Sequence, residues 1–280
     1  MNEVFYNGTF YPVNGPALPV SNRGFHYGDG FFETIRLIDG KPVFLDHHFS
    51  RVLETMEAYK IERPIDFTLQ KLEKEIIALS ERNQIEKGGR VRVTFCRKSA
   101  GYYLPIGNEL EYIIEANSLE HNRFTLNEQG RNVDLCVEFK KDLNRLAVYK
   151  RIECQVYIQA ALFAHEKGLD DALVQNYKGS IIEATSSNVF LVSNGVLYTS
   201  GLDEGPVAGT MRMNIINLAL ENGIKVYECT LTPQNLLAAD ELFLTNAIHG
   251  VQWVGSYRTK RYFNDMSVRF CRLLNAKLGI

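Results

Sequence analysis

Ile181-Ile182-Glu183-Ala184-Thr185-Ser186-Ser187-Asn188-Val189-Phe190 is the stretch on which the reading of this chain turns. An apolar, strand-like run carries one carboxylate into a block of small hydroxyl and amide residues, then resumes as Val189-Phe190-Leu191-Val192. A carboxylate with such flanks must be hydrogen-bonded or ion-paired, because an unpartnered buried charge is very costly. Upstream, Lys150 stands where an irregular segment gives way to an amphipathic helix expected from about Arg151 to Glu166. A lysine and a carboxylate in one pocket are the minimum equipment for pyridoxal phosphate (PLP). The lysine forms a Schiff base, and the acid keeps the pyridine nitrogen protonated so that the ring acts as an electron sink.

Around this stretch, strands are expected near 171–176, 180–184, 188–193 and 196–199, with turns at Tyr177-Lys178-Gly179 and Ser193-Asn194-Gly195. A helix from Met211 ends at Asn222-Gly223, Thr232-Pro233 opens a short one, and a last helix covers about 265–277. Nearer the N-terminus, Asn7-Gly8 and Asp39-Gly40 are hairpin signals, the second expected to lead into a strand Pro42-Val43-Phe44. From Asp46, Phe49, Val52, Leu53, Met56 and Tyr59 form a helical stripe, and a second helix is expected from Asp66 to about Arg82. Polarity rises at Asn117-Ser118-Leu119-Glu120-His121-Asn122-Arg123. The expected organisation is therefore an α+β protein with a smaller domain at 1–117, a connecting segment at 118–123 and a larger domain at 124–280.

With 280 residues, 45% of them hydrophobic and 23% charged, the chain has the composition of an ordinary globular protein. A net charge of −2 offers no field for nucleic acid or an anionic membrane. No stretch approaches the roughly 20 apolar residues that span a bilayer, and the N-terminus has no basic, apolar leader. Five scattered cysteines form no CxxC, which suits reduced thiols and a cytoplasmic location. His47-His48 makes no metal site, since adjacent helical positions diverge by about 100° and no third ligand clusters with them.

Glu183-Ala184-Thr185-Ser186-Ser187-Asn188-Val189-Phe190 resembles the pyridine-binding segment of the class IV aminotransferases, which include branched-chain and D-amino-acid transaminases and aminodeoxychorismate lyases. Four more segments resemble that family in order: 27–36 (Tyr27 to Arg36), 44–51 (Phe44 to Arg51), Gly209-Thr210-Met211-Arg212, and 239–248 (Ala239 to Ile248). The resemblance implies the two-domain, fold-type IV architecture of D-amino-acid aminotransferase, PLP as cofactor, an amino-carboxylate substrate, and a homodimer with sites at the domain junction. It implies Lys150 as the Schiff-base lysine and Glu183 as partner of the ring nitrogen. Gly209, Thr210 and Met211 would hold the phosphate, with Val207 packing under the ring. Arg51 is implied as a phosphate clamp, although counting 100° per residue sets it opposite the apolar stripe, toward solvent. Asn246 is implied in phosphate binding. Tyr27, Phe32 and Arg36 would line the substrate pocket, and Arg92, which shares a strand face with Arg90, would hold a carboxylate.

Three departures from the transaminase pattern favour the lyase branch. Met211 stands where threonine is usual, Ala247 replaces a phosphate-binding threonine, and the run Gly28 to Lys41 is lyase-like. The transaminase tyrosine five residues after the lysine is here Gln155. The expected activity is elimination of pyruvate from aminodeoxychorismate to give 4-aminobenzoate, with branched-chain or D-amino-acid transamination as the alternative.

Overall fold

The computed structural model describes residues 2–15 and 18–280. Asn7-Gly8 and Asp39-Gly40 turn as their sequences demand, with φ of 44° and 95° in the first pair and 49° and 68° in the second. Positive φ at both central residues matches the twist of paired strands. The first turn joins β1 (Glu3–Tyr6) to β2 (Thr9–Pro12). A short helix, α1 (Arg23–Tyr27), precedes the second, which joins β3 (Gly30–Ile38) to β4 (Lys41–Pro42). The expected strand 42–44 stops at Pro42, because Phe44 takes φ 53° and the chain enters α2 (Leu45–Tyr59). Thr68 caps α3 (Leu69–Arg82) through the Lys71 amide, so this helix starts three residues later than its apolar pattern suggests. With β5 (Gly89–Lys98) and β6 (Glu109–Ser118), the strands form one antiparallel sheet in the order β2-β1-β6-β5-β3-β4.

Two compact units emerge, one of Met1–Arg123 with Tyr149–Glu153, the other of Phe124–Val148 with Cys154–Ile280. In the first, α2 and α3 cover one sheet face. Phe31, Ile35, Leu37, Val91, Val93 and Phe95 bury there against Val52, Met56, Leu72, Ile76 and Leu79. Each such side chain contributes about 1.5–3 kcal/mol. Alternation places Phe32, Thr34, Arg92 and Thr94 on the opposite face. Residues 151–153 differ from the helix expected of them. Arg151 bridges Phe31, and the Ile152 amide donates to the Gly30 carbonyl at 3.2 Å, so the segment extends β3's neighbourhood instead of coiling.

The second unit comprises β7 (Arg131–Lys141), α4 (Gln155–Glu166), β8 (Asp171–Asn176), β9 (Ile181–Ala184), β10 (Asn188–Ser193), β11 (Val196–Ser200), α5 (Thr210–Glu221), β12 (Val226–Cys229), α6 (Pro233–Ala238), β13 (Glu241–Asn246), β14 (Gly250–Tyr257), β15 (Lys260–Arg261) and α7 (Asp265–Lys277). Its sheet runs β12-β11-β10-β13-β14-β7-β8-β9, and β9 pairs back to β10. Strands β10, β13, β14, β7, β8 and β9 thus close a barrel, with β11 and β12 continuing outward from β10. The closing pair is Glu183 opposite Asn188. The opening stretch of sequence is therefore the seam of the barrel. No helix of the described residues is long and apolar enough to cross a membrane.

Candidate active site

In the first unit, the Phe32 amide donates to the Lys150 carbonyl at 2.9 Å. That bond anchors the backbone of the lysine to β3, and its Nζ lies 4.3 Å from the centroid of the Phe32 ring. The Arg92 guanidinium sits 3.7 Å from the same centroid, and its Nε donates to Thr94 Oγ1 at 3.1 Å. A cation over an aromatic face is held by the ring quadrupole. Phe32 therefore gathers the amine of Lys150 and the guanidinium of Arg92 around one ring. Arg36 is buried, and its Nη2 donates to the carbonyls of His121 and Arg123. This side chain braces the connecting segment. Tyr27 is more than a third exposed, 5.7 Å from the ring of Tyr103 and under the Arg23 guanidinium.

Arg51 is buried, where helical counting sets it toward solvent. The reason lies on β3. Glu33 points to the helix-covered face with Phe31 and Ile35, and a carboxylate there needs partners. Arg51 supplies a bidentate pair, Nε to Oε1 at 2.7 Å and Nη2 to Oε2 at 2.6 Å, and His48, one turn earlier, sets Nδ1 2.6 Å from Oε2. Burial pushes the Glu33 carboxyl up, but the Arg51 guanidinium and His48 outweigh it and hold it at about 2. Burial likewise lowers His48, with Glu33 acting against the shift.

In the second unit, Glu183 is buried and well supplied with donors. Its Oε1 accepts from Lys141 Nζ at 2.7 Å and from the Tyr157 hydroxyl at 2.8 Å, and its Oε2 from the Val207 amide at 2.9 Å. A carboxylate offers about four lone-pair positions. Among the described residues three are taken, which leaves one on Oε2 for a further donor. Neither Lys141 nor Tyr157 stood out in the sequence. Lys141 reads as half of a solvated Lys140-Lys141 pair, and Tyr157 falls seven residues after Lys150, away from the expected position.

Near the seam, Asn188 Nδ2 donates to the Val207 carbonyl at 2.8 Å. A Cβ on Gly209 would overlap the amide oxygen of Asn188, so any larger residue here would have to push that side chain out of its place beside Val207. Helix α5 starts at once with Thr210 and Met211, and Gly209 gives it no side-chain cap. First-turn amides of an uncapped helix make a ready anion site. Asn246 is busy with its own turn. Its Oδ1 accepts from the Ile248 and His249 amides at 3.0 and 2.8 Å, and its Nδ2 donates to Ser187 Oγ at 3.0 Å.

Taken unit by unit, the donor groups fit PLP. In the second unit the open Oε2 position of Glu183 suits a protonated ring nitrogen and the glycine-led start of α5 suits a phosphate, and in the first Lys150 offers a primary amine.

Comparison with known proteins agrees. Residues 30–257 match the family model described as amino-transferase class IV. A putative branched-chain-amino-acid aminotransferase of Methanocaldococcus jannaschii is 27% identical, the match covering 87% of this chain and 83% of that protein. The aminodeoxychorismate lyase of Bacillus subtilis is 26% identical, with 88% and 83% covered. An aminotransferase from Brucella abortus, solved bound to PLP, superposes with a TM-score of 0.86 over 99% of this chain and 98% of its own, at 19% identity, a likeness of fold. The match spans most of the described sheet and the barrel strands from β7 to β14, and with it the chain belongs to the class IV aminotransferase family.

Proposed function

We propose that the chain is a PLP-dependent enzyme acting on an amino carboxylate, and specifically an aminodeoxychorismate lyase. The observation that carries the first statement is the buried Glu183 carboxylate with three donors and one open position. When bound, PLP supplies an electron sink into which the substrate's Cα–H electrons are withdrawn. Lys150 holds the cofactor through its amine and moves the Cα proton. Glu183, its orientation fixed by Lys141, Tyr157 and the Val207 amide, keeps the ring nitrogen protonated. The amides of Thr210 and Met211 hold the phosphate beside Gly209. Arg51, oriented by Glu33, is its proposed cationic partner, and Asn246 contributes by shaping the 246–249 turn. Val207 would pack against the ring. Arg92, stacked on Phe32, offers a bidentate site for the substrate carboxylate, and Tyr27 and Arg36 shape its surroundings.

Three positions support the lyase reading within the family. Met211 and Ala247 lack the hydroxyls that transaminases use, and Gln155 stands in place of a tyrosine. The substrate then loses its enolpyruvyl group as pyruvate, and aromatisation to 4-aminobenzoate drives the step. The similarity to a branched-chain transaminase keeps amino transfer as the second reading. We further take the protein to work in the cytoplasm, where its five free thiols stay reduced, and to pair with a second copy of itself.

Borohydride reduction of the PLP-loaded protein followed by peptide mapping tests the first statement: no reduced adduct at all rejects it, and an adduct on another lysine rejects Lys150 as its anchor. Release of pyruvate and 4-aminobenzoate from aminodeoxychorismate tests the second. Keto-acid-dependent transfer from L-leucine or D-alanine without pyruvate release rejects the lyase.

A further inference from the structure

Lys141 and Glu183 are both nearly inaccessible, at 3% exposure each, with their charged atoms 2.7 Å apart. Such a pair adds little net stability, since desolvating two ions offsets most of their attraction, and apolar residues of similar volume serve as well or better. The chain nevertheless goes to some length to place it. Strand β7 runs in parallel register with β8 from Val133 to Cys136, leaves that register for 137–139, and resumes with Lys140 opposite Gln175 and Lys141 opposite Asn176. The excursion leaves Val137 and Phe139 exposed at 53% and 38%. What it achieves is an ammonium aimed at Oε1 of Glu183, with the Tyr157 hydroxyl on the same oxygen and the ring of Tyr157 5.4 Å from Nζ.

We propose that Lys141 is a positioning residue that moderates Glu183: it turns a lone carboxylate into a charge-neutral pair and so weakens the grip on the proton of the cofactor's ring nitrogen. This rests on the cofactor reading above. The division of labour is by oxygen. Oε1 is occupied by Lys141 and Tyr157, and Oε2, which among the described residues accepts only from the Val207 amide, is the oxygen left for the ring nitrogen. A lone buried carboxylate would hold the ring proton tightly and make the strongest electron sink. A paired one makes a weaker sink, which suits a reaction whose driving force comes from the substrate's own aromatisation.

The test loads wild type, Lys141→Met, Lys141→Arg and Tyr157→Phe with PLP labelled with ¹⁵N in the ring and follows the nitrogen chemical shift with pH. A fixed charge within several ångströms is worth about tenfold or more in proton affinity. The ring proton of Lys141→Met should therefore persist to a pH about one unit or more above wild type. Lys141→Arg should titrate with wild type, and Tyr157→Phe, which removes a neutral donor, should move far less than Lys141→Met. If Lys141→Met does not fold, Lys141→Gln provides the same comparison with a donor retained. Coincident titrations of the wild type and the neutral variant overturn the proposal, as does a wild-type ring that keeps its proton across the whole range. A wild-type chain that takes up no PLP overturns the cofactor reading and this proposal with it, whereas a loaded protein with unmoved titrations overturns this proposal alone.

Discussion

Replacing Glu33 with glutamine removes one charge and almost no volume, at a carboxylate that three donor atoms share. The change leaves the Arg51 guanidinium buried without a counter-charge, and breaking a buried pair from one side costs about 3–5 kcal/mol. The titration of Glu33 gives a second route to the same quantity. Its folded value of about 2 lies below the ordinary 4.5, a depression worth roughly 3 kcal/mol. Because the folded value is depressed, this stability is complete above 4.5 and is lost as pH falls toward about 2. Glu33→Gln should therefore lose about 3 kcal/mol at pH 7, a fall of roughly 6–12 °C in Tm for a chain of this size. The gap to wild type should shrink by about 40% by pH 3.5. His48, lowered by burial, adds its own acid sensitivity below the ordinary 6.5 to wild type and, through that burial, to the variant as well. Urea unfolding followed by circular dichroism at pH 7 and pH 3.5 measures both quantities. A loss under about 1 kcal/mol at pH 7, or a gap that stays constant in acid, would refute the ion-pair argument.

Other substitutions probe the remaining parts. Lys150→Ala should abolish turnover while leaving Tm within about 2 °C of wild type, because truncating a half-buried side chain outside the core costs little; residual activity above a hundredth of wild type argues for another base. Gly209→Ala should weaken PLP uptake by about tenfold or more, measured by absorbance titration, because the new methyl collides with Asn188; unaltered affinity removes the phosphate from this helix start. Asn246→Ala should cost about 1–2 kcal/mol by loss of the turn bonds to Ile248 and His249, with a smaller effect on cofactor affinity than Gly209→Ala; the reverse order would make Asn246 a direct phosphate ligand. Glu183→Gln should slow turnover and shift the cofactor absorbance, and unchanged rates would remove the acid from its assigned role.

Much of this architecture was legible because local chemistry and tertiary structure agree. Asn-Gly and Asp-Gly permit the positive φ that a hairpin requires, and they appear where hairpins form. The errors fall where a distant partner decides. Arg151, Ile152 and Glu153 continue the apolar rhythm of α4, but the edge of β3 offers them hydrogen bonds that a helix start, uncapped at Cys154, does not. A helical wheel sends Arg51 outward because it cannot see a carboxylate on a strand eighteen residues earlier in the chain. Lys141 was hidden by the irregularity that delivers it, since residues 137–139 break the alternation from which an inward position would be inferred. Glu183 was visible because its apolar flanks and small polar followers leave a carboxylate few places to go.

The barrel is joined end to end at a single residue pair, and one member of that pair is Glu183. Tilting this side chain's backbone therefore means opening the cylinder at its seam, against the pairing of β9 with both β8 and β10. On the proposed reading of Glu183, residues elsewhere could change while the carboxylate at this weld keeps its place. Diverse reactions can then share one immovable fixture.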